Sequence, residues 1–402
     1  MKYLLTAFCA LLLFSCSDDD HPVPVPHFSR TVIIYISGEN SLSSFAPDDL
    51  EEMAEASKQI GSDDHLVVFF DNASTNEKPY IAELKNGLVI KDKEFGEDFY
   101  ASDPDRMREI LTYIMERFPA YKYGLDLWGH ASGWLITADT IATAKAPSRA
   151  YGVDNGNNKA SDNGKWINIP SLAKVFSQLP SKFDFIIGDC CFFQCVETAY
   201  ELKDCVSYII GSPSEVPGDG AAYREIIPLM FSDSQLFYKD IIDKCEEFSI
   251  NNNYDKLGVP LSCIYTGNAE LFAAATAKLM PKLLMYDDFE GKRLVYYGRF
   301  IADNGKSEKG YYDPLNLMME YASDDAALDE WKKALGYFVP YSKMATEWLQ
   351  NTGVNFSSFD VNDQTFSGVS MFVPQPMYES LSPNPNETIK QMKWAKAVGL
   401  AE

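Results

Sequence analysis

Unbroken apolar runs constrain this chain more than any other feature. Thr31-Val32-Ile33-Ile34-Tyr35-Ile36 and Leu66-Val67-Val68-Phe69-Phe70 lack the polar alternation of a half-solvated strand. Such runs belong to strands buried on both faces, as in a parallel sheet covered by helices on either side. Helical patterns separate them. Asp48 to Ile60 has an acidic first turn, and Asp103-Pro104 opens a helix to about Phe118 with Pro in its first turn. Tyr80 to Leu84 and Leu88 to Ile90 flank Asn86-Gly87, a hairpin signal. A strand then ends in Leu125-Asp126-Leu127-Trp128-Gly129-His130. Next come a helix over Ile169 to Leu179, a strand over Phe183 to Gly188, a helix over Val196 to Leu202 and a strand at Tyr208-Ile209-Ile210. Repeated βα units predict an α/β fold with a mostly parallel sheet and helices on both faces. Beyond about Asn268 the alternation fades. Helices over Leu271 to Leu284 and Ala326 to Leu335, a late strand at Val369 to Val373 and a terminal helix over Glu387 to Val398 are expected there.

The formal charge is -23. That excludes a phosphate-neutralising nucleic-acid binder and disfavours anionic membrane surfaces; it is compatible with attracting cationic peptides. Met1-Lys2 followed by apolar Tyr3 to Phe14 reads as a targeting segment, too short to span a bilayer. It closes on Leu13-Phe14-Ser15-Cys16, which resembles the bacterial lipobox, so lipidation at Cys16 is expected. Ser17-Asp18-Asp19-Asp20 and the Pro-rich stretch after it read as a stiff tether. The acidic run resembles the surface-export signal of some Gram-negative lipoproteins. The expected location is the outer membrane, facing outward, with a lipid anchor as the membrane contact.

Reactive side chains sit where the buried strands stop. In an open α/β sheet, such groups belong at the carboxyl ends of strands. Of four histidines, His21 and His27 fall on the tether and His65 opens a strand at its amino end, which leaves His130. Phe183 to Asp189 stops at Cys190-Cys191, and adjacent strand residues point to opposite faces, so at most one of the two thiols aims at His130. A thiol at that turn, ahead of the helix at Val196, would have its pKa lowered by the helix dipole. Cys191 and Cys195 have ligand-like spacing, but no second pair accompanies them and no metal site is expected. The connection between His130 and Ile169, rich in Ala, Asn, Gly, Asp and Ser, reads as protease-accessible. Asp154 and Asp162 within it read as solvated loop residues.

Taken together, Leu127-Trp128-Gly129-His130-Ala131-Ser132-Gly133-Trp134, Asp189-Cys190-Cys191, Val196 to Leu202 and Glu215-Val216-Pro217-Gly218-Asp219-Gly220 resemble the clostripain family of cysteine peptidases (peptidase family C11), in the caspase-like clan. Gly38-Glu39-Asn40-Ser41-Leu42 and Gly368-Val369-Ser370 are also similar, so the resemblance spans nearly the whole mature chain. It implies a caspase-like αβα sandwich with a C-terminal α/β extension. It implies a dyad of His130 as base and Cys191 as nucleophile, and an oxyanion hole from the N–H groups of Ala131 and Cys191. It also implies cleavage after Arg or Lys, with Asp189 and Asp219 binding the basic side chain. Asp219, in Pro-Gly-Asp-Gly, reads equally as a turn residue. Self-cleavage at Lys145 or Arg149 and a calcium requirement follow from some relatives, although no calcium loop is readable; otherwise no cofactor is expected.

The expected organisation is a signal over 1–16, a tether over 17–29, a peptidase core over 30–268 with a long loop at 135–165, and a C-terminal region over 269–402, in a monomer acting on basic peptides. Two positions depart from the family pattern. Ala131 replaces the usual Gly, and would misplace the oxyanion hole if positive φ were required. Cys190 replaces a small residue. These departures motivate the alternative of a catalytically impaired pseudo-peptidase that serves as a surface binding protein.

Overall fold

The computed structural model describes residues 29–73, 77–136, 150–157, 159–162, 164–251, 259–287, 289, 294–301, 305–322, 326–350 and 355–401. Cys16, Lys145 and Arg149 lie outside them. The chain opens with β1 (Arg30–Gly38), α1 (Ala46–Ala56) and β2 (His65–Asn72). The hairpin of β3 (Tyr80–Lys85) and β4 (Leu88–Glu94) turns at Asn86 and Gly87, with φ of 54° and 83°. Positive φ at both positions is what a two-residue hairpin turn of matching twist demands. In α2 (Pro104–Arg117), the Asp103 carboxylate caps the first turn by accepting from the N–H groups of Asp105 and Arg106.

Then follow β5 (Lys122–Trp128), the small antiparallel pair β6 (Tyr151–Asp154) and β7 (Lys165–Ile167), α3 (Ile169–Ser177), β8 (Phe183–Asp189), α4 (Val196–Leu202) and β9 (Val206–Gly211). The remainder contains α5 (Tyr223–Met230), α6 (Phe237–Asn251), β10 (Leu261–Tyr265), α7 (Ala269–Leu283), the hairpin β11 (Tyr296–Ile301) and β12 (Ser307–Tyr312), α8 (Pro314–Tyr321), α9 (Leu328–Phe338) and β13 (Tyr341–Lys343).

Among the described residues the central sheet has nine strands in the order β13-β10-β9-β8-β5-β1-β2-β3-β4. The middle five, β9 to β2, are parallel, and antiparallel strands close both edges. The period of two along β1 explains its continuous apolar run: Ile33 and Tyr35 enter one core layer, Val32, Ile34 and Ile36 the other, all fully buried. Helices α2, α3, α4, α7 and α9 cover the first layer; α1, α5 and α6 cover the second. Each large side chain so buried contributes roughly 1.5–3 kcal/mol of transfer free energy. The architecture is the expected caspase-like sandwich. β13, from the C-terminal region, pairs with β10 and so extends the same sheet. No helix among the described residues is long and apolar enough to cross a membrane.

Two late elements differ from expectation. Val369 to Val373 makes single bridges, Ser370 to Cys195 and Met371 to Tyr312, and no ladder. Its apolar residues are buried, and its N–H groups divide between backbone carbonyls, Ser370 to Gln194 O at 2.9 Å and Met371 to Tyr312 O at 2.8 Å, and side chains, as where the Phe372 N–H donates to the Glu197 carboxylate at 2.6 Å. The terminal helix breaks into Pro385–Thr388, Ile389–Gln391 and Lys393–Ala397. Met392 is extended there, the Lys393 N–H donates to Glu201 at 2.9 Å, and Trp394 is buried against Tyr200 and Phe272. Burial of the indole and a buried carboxylate outweigh local helix propensity.

Candidate active site

Parallel pairing of β5 with β8 puts Trp128 opposite Asp189. His130 and Cys191 each lie two residues further on, so both leave the sheet at one carboxyl edge. They line a common cleft of about 460 Å³ together with Ser41, Ala131, Asp162, Trp166, Glu215 and Val216. Cys190 is 1% exposed and packs in the core, whereas half-buried Cys191 faces the cleft. This is the opposite-face placement expected of adjacent thiols.

The turn that carries Cys191 is tightly built. Phe192 takes φ 58°, a left-handed conformation that costs a residue with a bulky side chain about 1 kcal/mol or more. Its N–H donates to Ser214 O at 2.9 Å and its ring stacks on Tyr311 at 4.8 Å, which holds it there. Cys195 is buried and its thiol donates to Phe192 O at 2.8 Å, a structural role. The Cys191 sulfur accepts from the Val216 N–H at 3.4 Å. Burial pushes its pKa up to about 12, and the Glu215 and Asp189 carboxylates add to the effect. This overturns the expected lowering by a helix dipole. The helix starts only at Val196, capped by Cys195, and the acids beside Cys191 act in the opposite sense.

His130 is held from the far side of the cleft. Its Nε2 lies 2.9 Å from Ser41 Oγ and 3.4 Å from Asp162 Oδ1, and the same Asp162 oxygen accepts the Ser41 N–H at 2.9 Å. Burial raises the Asp162 carboxyl, but the His130 and Ser41 hydrogen bonds outweigh it and hold the pKa down to about 2. Asp162 is exposed in its loop, as expected, with its side chain 52% accessible, yet these hydrogen bonds tie it to His130; sequence reasoning placed neither Ser41 nor Asp162 in the site. The available signal was Gly38-Glu39-Asn40-Ser41-Leu42, which follows β1 at the same edge. Asp154 departs from the solvated reading: it is fully buried and accepts the N–H groups of Ala101 and Gly156 at 3.1 and 2.7 Å.

Ala131 lies outside the positive-φ residues, and the turn is made instead by Gly129 at φ 144° and Gly133 at φ 73°. An alanine therefore fits this backbone without strain. Its segment is pinned by a bridge to Tyr151 and by the Ser132 N–H donating to Ala150 O at 3.1 Å.

Acids underlie the cleft. Asp189 lines it and accepts from the Ala221 N–H at 3.0 Å and the Tyr223 hydroxyl at 2.7 Å. Burial pushes this carboxyl up against those two hydrogen bonds. Behind it, Asp49 accepts the Trp128 indole N–H at 2.7 Å and is pushed up to about 8 by burial and by Asp189. Asp126 is fully buried, and burial, Asp189 and Asp49 drive its pKa well up. Asp219 is exposed in the Gly218–Asp219 turn; it lines an adjoining chamber with Asp189, outside the cleft of His130 and Cys191.

A thiol and an imidazole in one cleft, with backbone N–H groups and acids around them, can perform acyl transfer on a peptide. Comparison with known proteins agrees. The Clostripain family matches residues 34–345. A secreted C11 cysteine protease from Bacteroides thetaiotaomicron, solved with an irreversible peptide inhibitor, is 26% identical with a TM-score of 0.74, over 92% of this chain and 98% of that one. An inactive zymogen C11 protease from Parabacteroides distasonis is 25% identical with a TM-score of 0.73, over 93% and 99%. A comparison with curated proteins gives no match. The sheet, the two strand ends and these likenesses lead to one conclusion: the chain belongs to the clostripain family of cysteine peptidases.

Proposed function

We propose that this chain is a cysteine endopeptidase that hydrolyses peptide bonds after Arg or Lys, with Cys191 as nucleophile and His130 as base. The carrying observation is the shared cleft beyond the paired ends of β5 and β8, which contains both side chains. His130 takes the Cys191 thiol proton as sulfur attacks the scissile carbonyl carbon. The carbonyl oxygen becomes an oxyanion that the N–H groups of Ala131 and Cys191 stabilise. Collapse breaks the C–N bond, and His130 returns the proton to the leaving amine. Water, deprotonated by His130, then cleaves the thioester and regenerates the thiol. A substrate guanidinium or ammonium pairs with Asp189, assisted by Asp219 from the adjoining chamber. That cation also offsets the negative field that raises the Cys191 pKa.

Loop 135–165 serves for self-processing at Lys145 or Arg149. Cys16 anchors the protein to the outer membrane facing outward; the similar Bacteroides protease is described as secreted. The test is hydrolysis of Arg- and Lys-terminated fluorogenic peptides beside Cys191→Ala. Loss of signal in the variant is expected; equal signals would sink the peptidase reading in favour of a binding protein. Mass spectrometry of aged enzyme is expected to show a cut at Lys145 or Arg149 that the variant lacks.

A further inference from the structure

Three acids gather beneath the cleft with no counter-charge. Asp126 pairs with Ile187 in register, and Trp128 with Asp189. Strand residues two apart share a face, so Asp126 and Asp189 both point into the second core layer with Trp128 and Ile187. Ladder spacing puts their Cα atoms roughly 8 Å apart. Asp49 arrives from α1 and is held by the Trp128 indole. It packs under Gly220, where a Cβ would stand 2.7 Å from its Oδ2, and Gly220 lines the cleft. Asp126 is 0% exposed, and both its oxygens are buried without a hydrogen-bond partner. The cations nearby are engaged elsewhere. Arg224, from α5, pairs with Glu52 at 3.3 Å, and Arg299, which lines the cleft, donates to Ser307 O at 3.1 Å. His130, across the cleft, is engaged by Ser41 and Asp162. Tyr223 from α5 and Cys245 from α6 hold their protons, because burial pushes both up, the thiol to about 12. Tyr151 and Cys190, in the opposite core layer, are pushed up in the same way. Asp48 and Glu52 on α1, and Glu215 and Asp219 beside the cleft, only add acids.

A buried carboxyl with neither a donor nor a counter-charge persists as the neutral acid. We propose that Asp49, Asp126 and Asp189 share protons in the free enzyme, and that the basic side chain of a substrate enters at Asp189 in exchange for one of them. Asp126 is the specificity-determining residue of this exchange, since it has no other way to shed its charge. The cation favours the ionised carboxylate at Asp189. A carboxyl O–H bond breaks, its electron pair stays on oxygen and the proton leaves to solvent. A neutral side chain supplies no charge and leaves the acids protonated. The site therefore selects for charge and tightens as pH rises. The shifts agree in direction: burial, then Asp189 and Asp49, drive Asp126 well up, and burial, then Asp189, raises Asp49 to about 8. The inference rests on the reading that Arg or Lys binds at Asp189.

The test is calorimetry on purified full-length Cys191→Ala protein with the peptide Ala-Ala-Arg-Ala-Ala, and with the same peptide carrying citrulline, a neutral isostere of Arg. Binding heats compared in phosphate and in Tris, near neutral pH, give the protons released. About half a proton or more is expected with the Arg peptide, and its Kd should tighten about three-fold or more between about pH 6 and pH 7. Asp126→Asn should still bind the Arg peptide but release fewer than about half as many protons, with a flatter pH dependence. A packing role alone would leave the proton count unchanged. Should that variant fail to fold, Asp49→Asn, which keeps an acceptor for Trp128, is expected to lower the count likewise. Binding of the Arg peptide without proton release would overturn the exchange alone. So would a release that citrulline reproduces, or one that the substitutions leave intact. Absence of any preference for Arg over citrulline would overturn the Arg or Lys reading, and the exchange with it.

Discussion

Ser41 Oγ lies 2.9 Å from His130 Nε2, with Asp162 Oδ1 at 3.4 Å from the same nitrogen. In the proposed dyad, with Nε2 engaged on that side, Nδ1 is the ring nitrogen left to exchange a proton with Cys191. A carboxylate on the outer nitrogen fixes the tautomer and steadies the imidazolium formed during attack. The proposed dyad therefore assigns Asp162 the role of a positioning residue. Asp162→Asn is expected to lower kcat about ten-fold with KM changed by less than about two-fold, and Ser41→Ala to lower kcat about three-fold. Initial-rate kinetics on an Arg-terminated peptide decides it; a KM effect without a kcat effect would assign both residues to substrate binding.

The Cys191 thiol, pushed up to about 12 by burial and then by Glu215 and Asp189, rests protonated at neutral pH. Thiolate is the alkylated species, so iodoacetamide should label Cys191 slowly near pH 7 and faster as pH rises. Glu215→Gln removes the larger of the two carboxylate contributions and should accelerate labelling several-fold at fixed pH. Peptide mapping by mass spectrometry follows Cys191 itself, with buried Cys190 as an unlabelled reference in the same peptide. Rapid labelling of Cys191 at neutral pH, unchanged by Glu215→Gln, would contradict the field argument.

The strand ends were legible because one short-range rule produces them. A doubly buried strand is apolar throughout, so its end is visible as the first reactive or small residue, as at Trp128-Gly129-His130 and Asp189-Cys190-Cys191. What surrounds His130 was not legible for the opposite reason. Ser41 and Asp162 are 121 residues apart and meet only after β1 and the segment beyond β6 fold against one edge. Asp154 is indistinguishable by composition from its solvated neighbours. Val369 to Val373 shows the limit of apolar pattern itself: burial writes the same residues into a strand and into an irregular segment whose N–H groups divide between isolated backbone bridges and side-chain acceptors.

Asp49 gives the fold a pH dependence of unusual sign. Its carboxyl is raised from an ordinary 3.8 to about 8 by burial and by Asp189. The folded chain therefore keeps a proton there that the unfolded chain has lost. The associated stability is fully present below about pH 4 and is lost as pH rises through about 8. Urea midpoints should fall between about pH 5 and pH 8, with Asp49 accounting for on the order of 4 kcal/mol. Asp49→Asn retains an acceptor for the Trp128 indole and should flatten that part of the slope. A slope unaltered by the substitution would place the proton elsewhere in the acid group.

Gly133 tests how firmly the histidine loop and the cysteine turn are locked together. Its φ is +73°, and an added Cβ would stand 2.9 Å from both Cys195 Sγ and a Tyr311 ring carbon and 3.1 Å from Phe192 O. Tyr311 cannot easily retreat, because its hydroxyl donates to Ser132 O at 2.6 Å and its ring stacks on Phe192. Gly133→Ala combines left-handed strain with overpacking, and should cost about 2–4 kcal/mol in urea unfolding. Any movement of Phe192 shifts the adjacent Cys191, so kcat should fall by more than KM rises. Gly336, exposed in α9 with open space where a methyl group would stand and no positive φ, is the matched control. Gly336→Ala should stabilise the chain by about 0.5–1 kcal/mol through helix propensity and leave kcat unchanged. Equal and small effects from both substitutions would mean that the His130 loop and the Cys191 turn move independently.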